Sequence, residues 1–228
     1  MFSVIFEVHP LKARFDEYLD LAKHLKPILE GIDGFVDNER FESQGRPGWL
    51  LSHSTWRDEK SVVRWRSTGE HHRIQQHGRD AIFHDYHLRV GDVTFDSAPS
   101  EAAPVRQLRF DQTETGAGKY ATLTEITPQE GAAFAAQPDL LPAHLGLDTT
   151  ADVVVEHDIF ASIYNPGKLA LVVGWRTLET ARSWRPTTQA GTKDLRHRIV
   201  RVVRDYGMFD RRETPQFYPD AAPPIAAE

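Results

Sequence analysis

The chain has 228 residues, a net charge of −6, 40% hydrophobic and 26% charged residues, and no cysteine. This length suits two soluble domains of roughly 100 residues, each able to bury a core. Without cysteine there are no disulfides, thiolate nucleophiles or Cys-ligated metals, and the negative balance argues against a general nucleic-acid or membrane surface.

The first residues carry no basic segment followed by a long apolar run, and no 18-residue apolar stretch occurs anywhere. A cytoplasmic protein without signal peptide or spanning helix is expected. Ser3 to Val8 reads as a strand. Lys12 to Ile32 places Phe15, Leu19, Ala22, Leu25 and Leu29 at helical spacing, with Pro27 expected to bend or interrupt the helix. Phe35 to Ser43 and Trp49 to Trp56 read as strands around the turn Gln44-Gly45-Arg46-Pro47-Gly48. A helix follows from Asp58 to Arg66. Ser67-Thr68-Gly69-Glu70 has the form of a capping box, so a second helical piece should start there and end at Gly78. Tyr86 to Phe95 completes a β-α-β-β-α-β order, a ferredoxin-like unit.

Residues 97–118, rich in Ala, Pro, Ser, Thr and Gly, read as a linker. Thr115-Gly116-Ala117-Gly118-Lys119 within it lacks the spacing of a phosphate loop. The order then repeats: strand Tyr120 to Thr127, helix Gln129 to Leu141, strands Val153 to Asn165 and Lys168 to Trp175, a helix from Leu178, and strand Arg198 to Tyr206. The expected organisation is a domain over 1–96, the linker, a second domain over 119–212, and a proline-bearing tail over 213–228.

The two halves are copies. Pro47-Gly48, Leu50, Trp56-Arg57, Trp65-Arg66 and Thr68 recur as Pro166-Gly167, Leu169, Trp175-Arg176, Trp184-Arg185 and Thr187, all at an offset of 119. Beyond Thr68 they diverge. The first continues Glu70-His71-His72-Arg73-Ile74-Gln75-Gln76-His77-Gly78-Arg79, and matching His87 to His197 lowers the offset to 110, so the second copy lacks about nine residues there. A single ferredoxin-like unit leaves one sheet face bare, and the second copy supplies its cover. The fold class expected is α+β: two tandem ferredoxin-like units packed sheet to sheet as an intrachain pseudo-dimeric barrel, either monomeric or dimerised again through sheet edges.

Val4-Ile5-Phe6-Glu7-Val8, Gly34-Phe35, Trp56-Arg57, Trp65-Arg66, Glu70-His71 with Gln75 and Gly78-Arg79, and Asp85-Tyr86-His87-Leu88-Arg89-Val90 resemble the antibiotic biosynthesis monooxygenase family of dimeric α+β barrels. The resemblance spans nearly all of 1–95 and, more weakly, 119–212. It implies fold more than function, since folds of this shape serve haem degraders, cofactor-free quinone-forming oxygenases and small isomerases. The family pattern places its histidine at His71.

His71 and Gln75 share one face of the capped helix, and His72 and Gln76 share another about 100° round. His71 is the first choice for a base or donor in a pocket, against the bland alternative of solvated histidines on an amphipathic helix. Trp56 and Trp65 recur in the copy, which favours core anchors, although either can wall a pocket for a planar substrate. His53 stands where the copy has Val172, a polar-for-apolar exchange that points to a site. Arg79 has no counterpart and can anchor an anion or form a surface ion pair. His71, His72 and His77 lack the spacing of a zinc helix, so no metal site is expected. Haem needs only one imidazole, from His71 or His72. However, Gln75 stands where haem degraders place their ligand histidine, and Ile5 replaces their first-strand Asn.

The leading expectation is therefore a cofactor-free monooxygenase acting with dioxygen on a small aromatic, phenolic or polyketide-like substrate. His71 or His53 would be base, Gln75 a donor, and Trp65, Trp56, His72 and Arg79 substrate contacts. A haem-binding protein, an isomerase and a non-catalytic binding module are the alternatives.

Overall fold

A computed structural model describes residues 1–101, 103–107, 116–187 and 191–210. The expected tail at 213–228, residues 102 and 108–115 of the expected linker, and residues 188–190 lie outside the described residues. In the first half the elements are β1 (Phe2–Pro10), α1 (Phe15–Glu30), β2 (Phe35–Ser43), β3 (Leu50–Trp56), α2 (Glu59–Ser67), α3 (Gly69–His77) and β4 (Phe83–Asp96). The second half has β5 (Tyr120–Pro128), short helices α4 (Ala133–Ala136) and α5 (Leu141–His144), β6 (Val154–Ser162), β7 (Leu169–Trp175), α6 (Leu178–Ser183) and β8 (Thr192–Gly207).

The strands close into one barrel in the order β1-β3-β2-β6-β7-β5-β8-β4. Each half contributes a four-stranded antiparallel sheet of identical internal order, so the pseudo-dimeric α+β barrel expected from the repeat is the observed fold. The two sheets also join at both edges. Phe41↔Ser162, Glu42↔Ala161 and Ser43↔Phe160 form a short seam, and His87↔Gly207 through Asp96↔Arg198 form a long one. Each seam pairs a strand with its own counterpart, the pattern of a two-fold interface. Closure leaves no free sheet edge.

Strand alternation sends one set of side chains into the barrel and the other toward the helices. Ile5, Phe41, Leu51 and Val93 meet Leu123, Phe160, Val172 and Val200 in the barrel core. Ala103 and Val105, in the segment read as a linker, also pack against this core. Charged pairs complete the interior, and they too are duplicated: Glu7 pairs with Arg89, and Glu125 with Arg198 at 2.6 Å. Arg89–Glu156 (2.7 Å), Arg46–Asp158 (2.6 Å) and Lys168–Glu39 (3.1 Å) cross between the halves. Buried charges of this kind hold their geometry because losing one partner strands the other in low dielectric.

Several local expectations are corrected. Pro27 does not interrupt α1, whose last turn contains it; Gly31 N–H bonds the Pro27 and Ile28 carbonyls and closes the helix. The capping box does not form. Ser67 and Thr68 hydroxyls donate back to carbonyls of α2, and Glu70 is held by Arg73 and His24. Gly78 does not end the helical piece; a π-helical turn, Gly78–Ile82, carries it into β4. A Cβ on Gly78 would lie 2.5 Å from the Phe83 ring, so glycine is there for close approach. The single helix expected over 129–141 is broken into α4, a 3₁₀ turn and α5, because Pro138 and Pro142 begin the later pieces. The last strand starts at Thr192, six residues earlier than the sequence pattern placed it. Among the described residues, nothing after α6 corresponds to α3. No helix of the described residues is long and apolar enough to cross a membrane.

Candidate active site

A cavity of about 210 Å³ lies between the first half's sheet and its helices. Its floor includes Val4 and Phe6 of β1, Asn38 and Arg40 of β2, and Ser52 and Ser54 of β3; its roof comes from α1, α2 and α3. The repeat explains why the space exists. Arg40 faces Ser52 across β2 and β3 in the register in which Ile159 faces Leu171 across β6 and β7, and Asn38–Ser54 corresponds to His157–Val173. Leu171 and Val173 are fully buried. Over them pack Phe134, Leu141, Leu145 and Trp184, filling the second half. Two serines where the copy has Leu and Val remove the apolar volume that would fill the first.

His71 and Gln75 project from one face of α3 into this cavity, and Arg79 joins them from the π-helical turn. The His71 ring stacks on Trp65, centroids 4.0 Å apart and planes 19° from parallel, and its Nδ1 lies 3.2 Å from the Trp65 carbonyl oxygen. A carbonyl only accepts, so Nδ1 carries the proton and Nε2 keeps the lone pair. Burial disfavours the imidazolium and holds the His71 pKa down to about 4, outweighing the opposing effect of that hydrogen bond. Arg79 donates to the Tyr86 hydroxyl at 2.6 Å.

Other expected site residues lie elsewhere. His72 is on the exposed side of α3 and does not line the cavity. Trp56 is fully buried behind it, edge-on to Phe35, with its indole N–H on Ser54 Oγ at 2.9 Å. Trp175 repeats this with Thr122, so Trp56 anchors the core. His53 is corrected as a catalytic candidate. It points into the barrel, on the sheet face away from the cavity, with Nε2 2.9 Å from Ser3 Oγ. Its polar-for-apolar exchange with Val172 reflects the barrel interior, where burial and the neighbouring Arg198 lower its pKa to about 4.

Sequence reasoning missed Arg40, Tyr18, Ser52 and Ser54. Comparison of the copies position by position along the helix-facing side of β2 and β3 would have found Arg40, Ser52 and Ser54; Tyr18, on α1, carries no such signal. The lining carries five cationic side chains, Lys26, Arg40, Arg66, Arg79 and Arg204, against one carboxylate, Glu59. Among the described residues no group of three or more His, Cys, Asp or Glu side chains is placed to hold a metal. The cavity falls below the roughly 300 Å³ at which drug-sized sites begin, a size that suits a small substrate.

The family model for antibiotic biosynthesis monooxygenase matches residues 1–77. A Pyricularia oryzae protein named jasmonate monooxygenase ABM is 42% identical over 227 residues, covering 97% of this chain and 100% of the relative. Among solved structures, aldoxime dehydratase superposes with a TM-score of 0.53 at 13% identity, covering 88% of this chain and 80% of that one. The last likeness is one of fold.

Proposed function

The chain belongs to the antibiotic biosynthesis monooxygenase family, and from that premise we propose that it oxidises a small, largely apolar molecule in the cavity over its first sheet, with His71 as base and without metal or flavin. The observation that carries the reading is that His71, Gln75 and Arg79 line one cavity between the first sheet and its helices. They do so on the helical segment absent from the second copy.

Neutral His71 takes a proton from an acidic O–H of the substrate through Nε2. Its low basicity means the proton moves only as an anion forms beside it, giving an imidazolium paired with that anion. For a phenol, the phenolate passes an electron to dioxygen and the radical pair recombines. The peroxide then loses water to leave a quinone. One oxygen atom enters the product and the other leaves as water, so no external reductant is consumed. Gln75 and Arg79 supply donors for negative charge developing on oxygen in a cavity whose walls are largely apolar.

Jasmonate is the first compound to try, because the whole-length relative is named for it. If the product there is an alcohol, two electrons and two protons must come from an added reductant such as a reduced nicotinamide or flavin. The test is oxygen uptake by metal-free protein with jasmonate and with phenols, with and without reductant, and the same reactions under anaerobic conditions. Products formed without oxygen, or no oxygen consumed with any of these compounds, would refute the reading.

A further inference from the structure

Arg40 is out of place as a structural residue. It sits mid-strand in β2 with its side chain on the cavity floor, and its counterpart in the second half is the buried Ile159. The fold therefore accepts an apolar side chain at this position. Among the described residues the Arg40 guanidinium makes no hydrogen bond or ion pair, and its Nε is buried without a partner. Its one side-chain partner is the Tyr18 ring, 5.8 Å from the guanidinium carbon. Tyr18 is itself buried, lines the same cavity, and has a hydroxyl with no hydrogen bond among the described residues.

Arg40 is half-buried, and its Nε is a buried donor left unused until an acceptor arrives, which costs more than a donor left to water. The one lining carboxylate does not serve it, since Glu59 is 3.6 Å from Arg204. The lining carries five cationic side chains to one carboxylate, against the −6 balance of the whole chain, so the cavity favours a negatively charged group.

We infer that the substrate is a small apolar molecule bearing a carboxylate, held by the Arg40 guanidinium and the Tyr18 hydroxyl. The inference rests on the oxygenase reading for the statement that the cavity's ligand is a substrate, and it adds the substrate's charge and its orientation. A carboxylate on the sheet floor at Arg40 leaves the rest of the molecule to extend under the helical roof that carries His71. Arginine suits this role because its planar fork matches a carboxylate with two parallel bonds.

The test compares free acids with their methyl esters, which keep the shape and lose the charge: jasmonic acid against methyl jasmonate, and octanoate against methyl octanoate. Binding is read from tryptophan fluorescence, with Trp65 in the cavity lining as reporter, and by calorimetry. Wild-type protein should bind at least one acid about tenfold or more tightly than its ester, as expected for a charge-assisted pair. Arg40→Gln should erase that preference and leave ester binding unchanged, while Arg40→Lys keeps part of it. His71→Ala should retain the acid preference and lose oxygen uptake. Equal affinity for acid and ester in the wild type, an undiminished preference in Arg40→Gln, or no binding of any acid would overturn the inference. Acid preference without oxygen uptake would remove the oxygenase reading and leave the anchor; oxygen uptake on acid and ester alike would do the reverse.

Discussion

His71 lies flat on Trp65, and its Nδ1 meets that same residue's carbonyl oxygen, so one tryptophan sets both the plane and the tautomer of the imidazole. The arrangement keeps Nε2 unprotonated at neutral pH, with the His71 pKa lowered to about 4 by burial. Trp65→Phe retains a ring and the carbonyl and should leave this value nearly in place. Trp65→Ala lets water reach the imidazole and should move it toward the ordinary value of about 6.5. Imidazole NMR titration, with the resonance assigned through His71→Gln, measures both; a wild-type His71 that titrates near 6.5 would contradict the burial assigned to it.

The two equivalent tryptophans should respond oppositely. Trp184 lies 5.8 Å from Trp175 and 5.2 Å from His197 by ring centroids, inside a filled core. Trp184→Ala should cost about 3–5 kcal/mol of stability and leave turnover of the folded fraction unchanged. Half-buried Trp65 should cost less stability on truncation and far more activity. His71→Ala itself should lower kcat by about 10²–10⁴. Urea titration and oxygen uptake on the same preparations separate the two effects.

Acid should destabilise the fold before its carboxylates titrate. His53, His71 and His197 are each held near a pKa of about 4, chiefly by burial, below the unfolded value of about 6.5. The unfolded chain therefore takes up protons first as pH falls. Stability from keeping these rings neutral is complete above about pH 6.5 and is lost as pH drops through about 4, at up to about 1.4 kcal/mol per pH unit for each ring. His53→Val, the residue the second copy carries, should reduce that slope by about a third. Urea midpoints from pH 4.5 to 7 test this; a slope unchanged by His53→Val would show that His53 does not titrate as its surroundings dictate.

The duplicated interior pairs should be comparably important. Glu7→Gln leaves Arg89 without its buried partner, and Glu125→Gln leaves Arg198 only the longer contact with Asp96 at 3.5 Å. Each should cost about 3–5 kcal/mol. Asp158→Asn, whose partner Arg46 is 38% exposed, should cost about 1 kcal/mol because solvent screens the pair. Equilibrium unfolding ranks the three, and a Glu7→Gln cost no larger than that of Asp158→Asn would show that the interior is wetter than the packing indicates.

The repeat made the architecture legible. Trp56 and Trp175 do occupy equivalent places, each indole bonded to a nearby hydroxyl. The segment 70–79 is the part with no copy, and His71 with Gln75 is its cavity-facing pair. His53 was misassigned because alternation in β3 separates it from Ser52 and Ser54 but does not say which set the helices cover. Arg40 and Tyr18 escaped notice because they are distant in the chain and each is unremarkable alone.

What the chain order determined by itself was the two copies, the order of their elements and the helical insert unique to the first, since repetition and periodicity are carried by neighbouring residues. Closure of the barrel decided the rest. Pairing β2 with β6 and β4 with β8 turned one face of every strand inward, placing His53 among buried ion pairs and Arg40 beneath the helices. Where two serines replaced leucine and valine, the helices could not fill the gap, and only their packing in space made it a cavity.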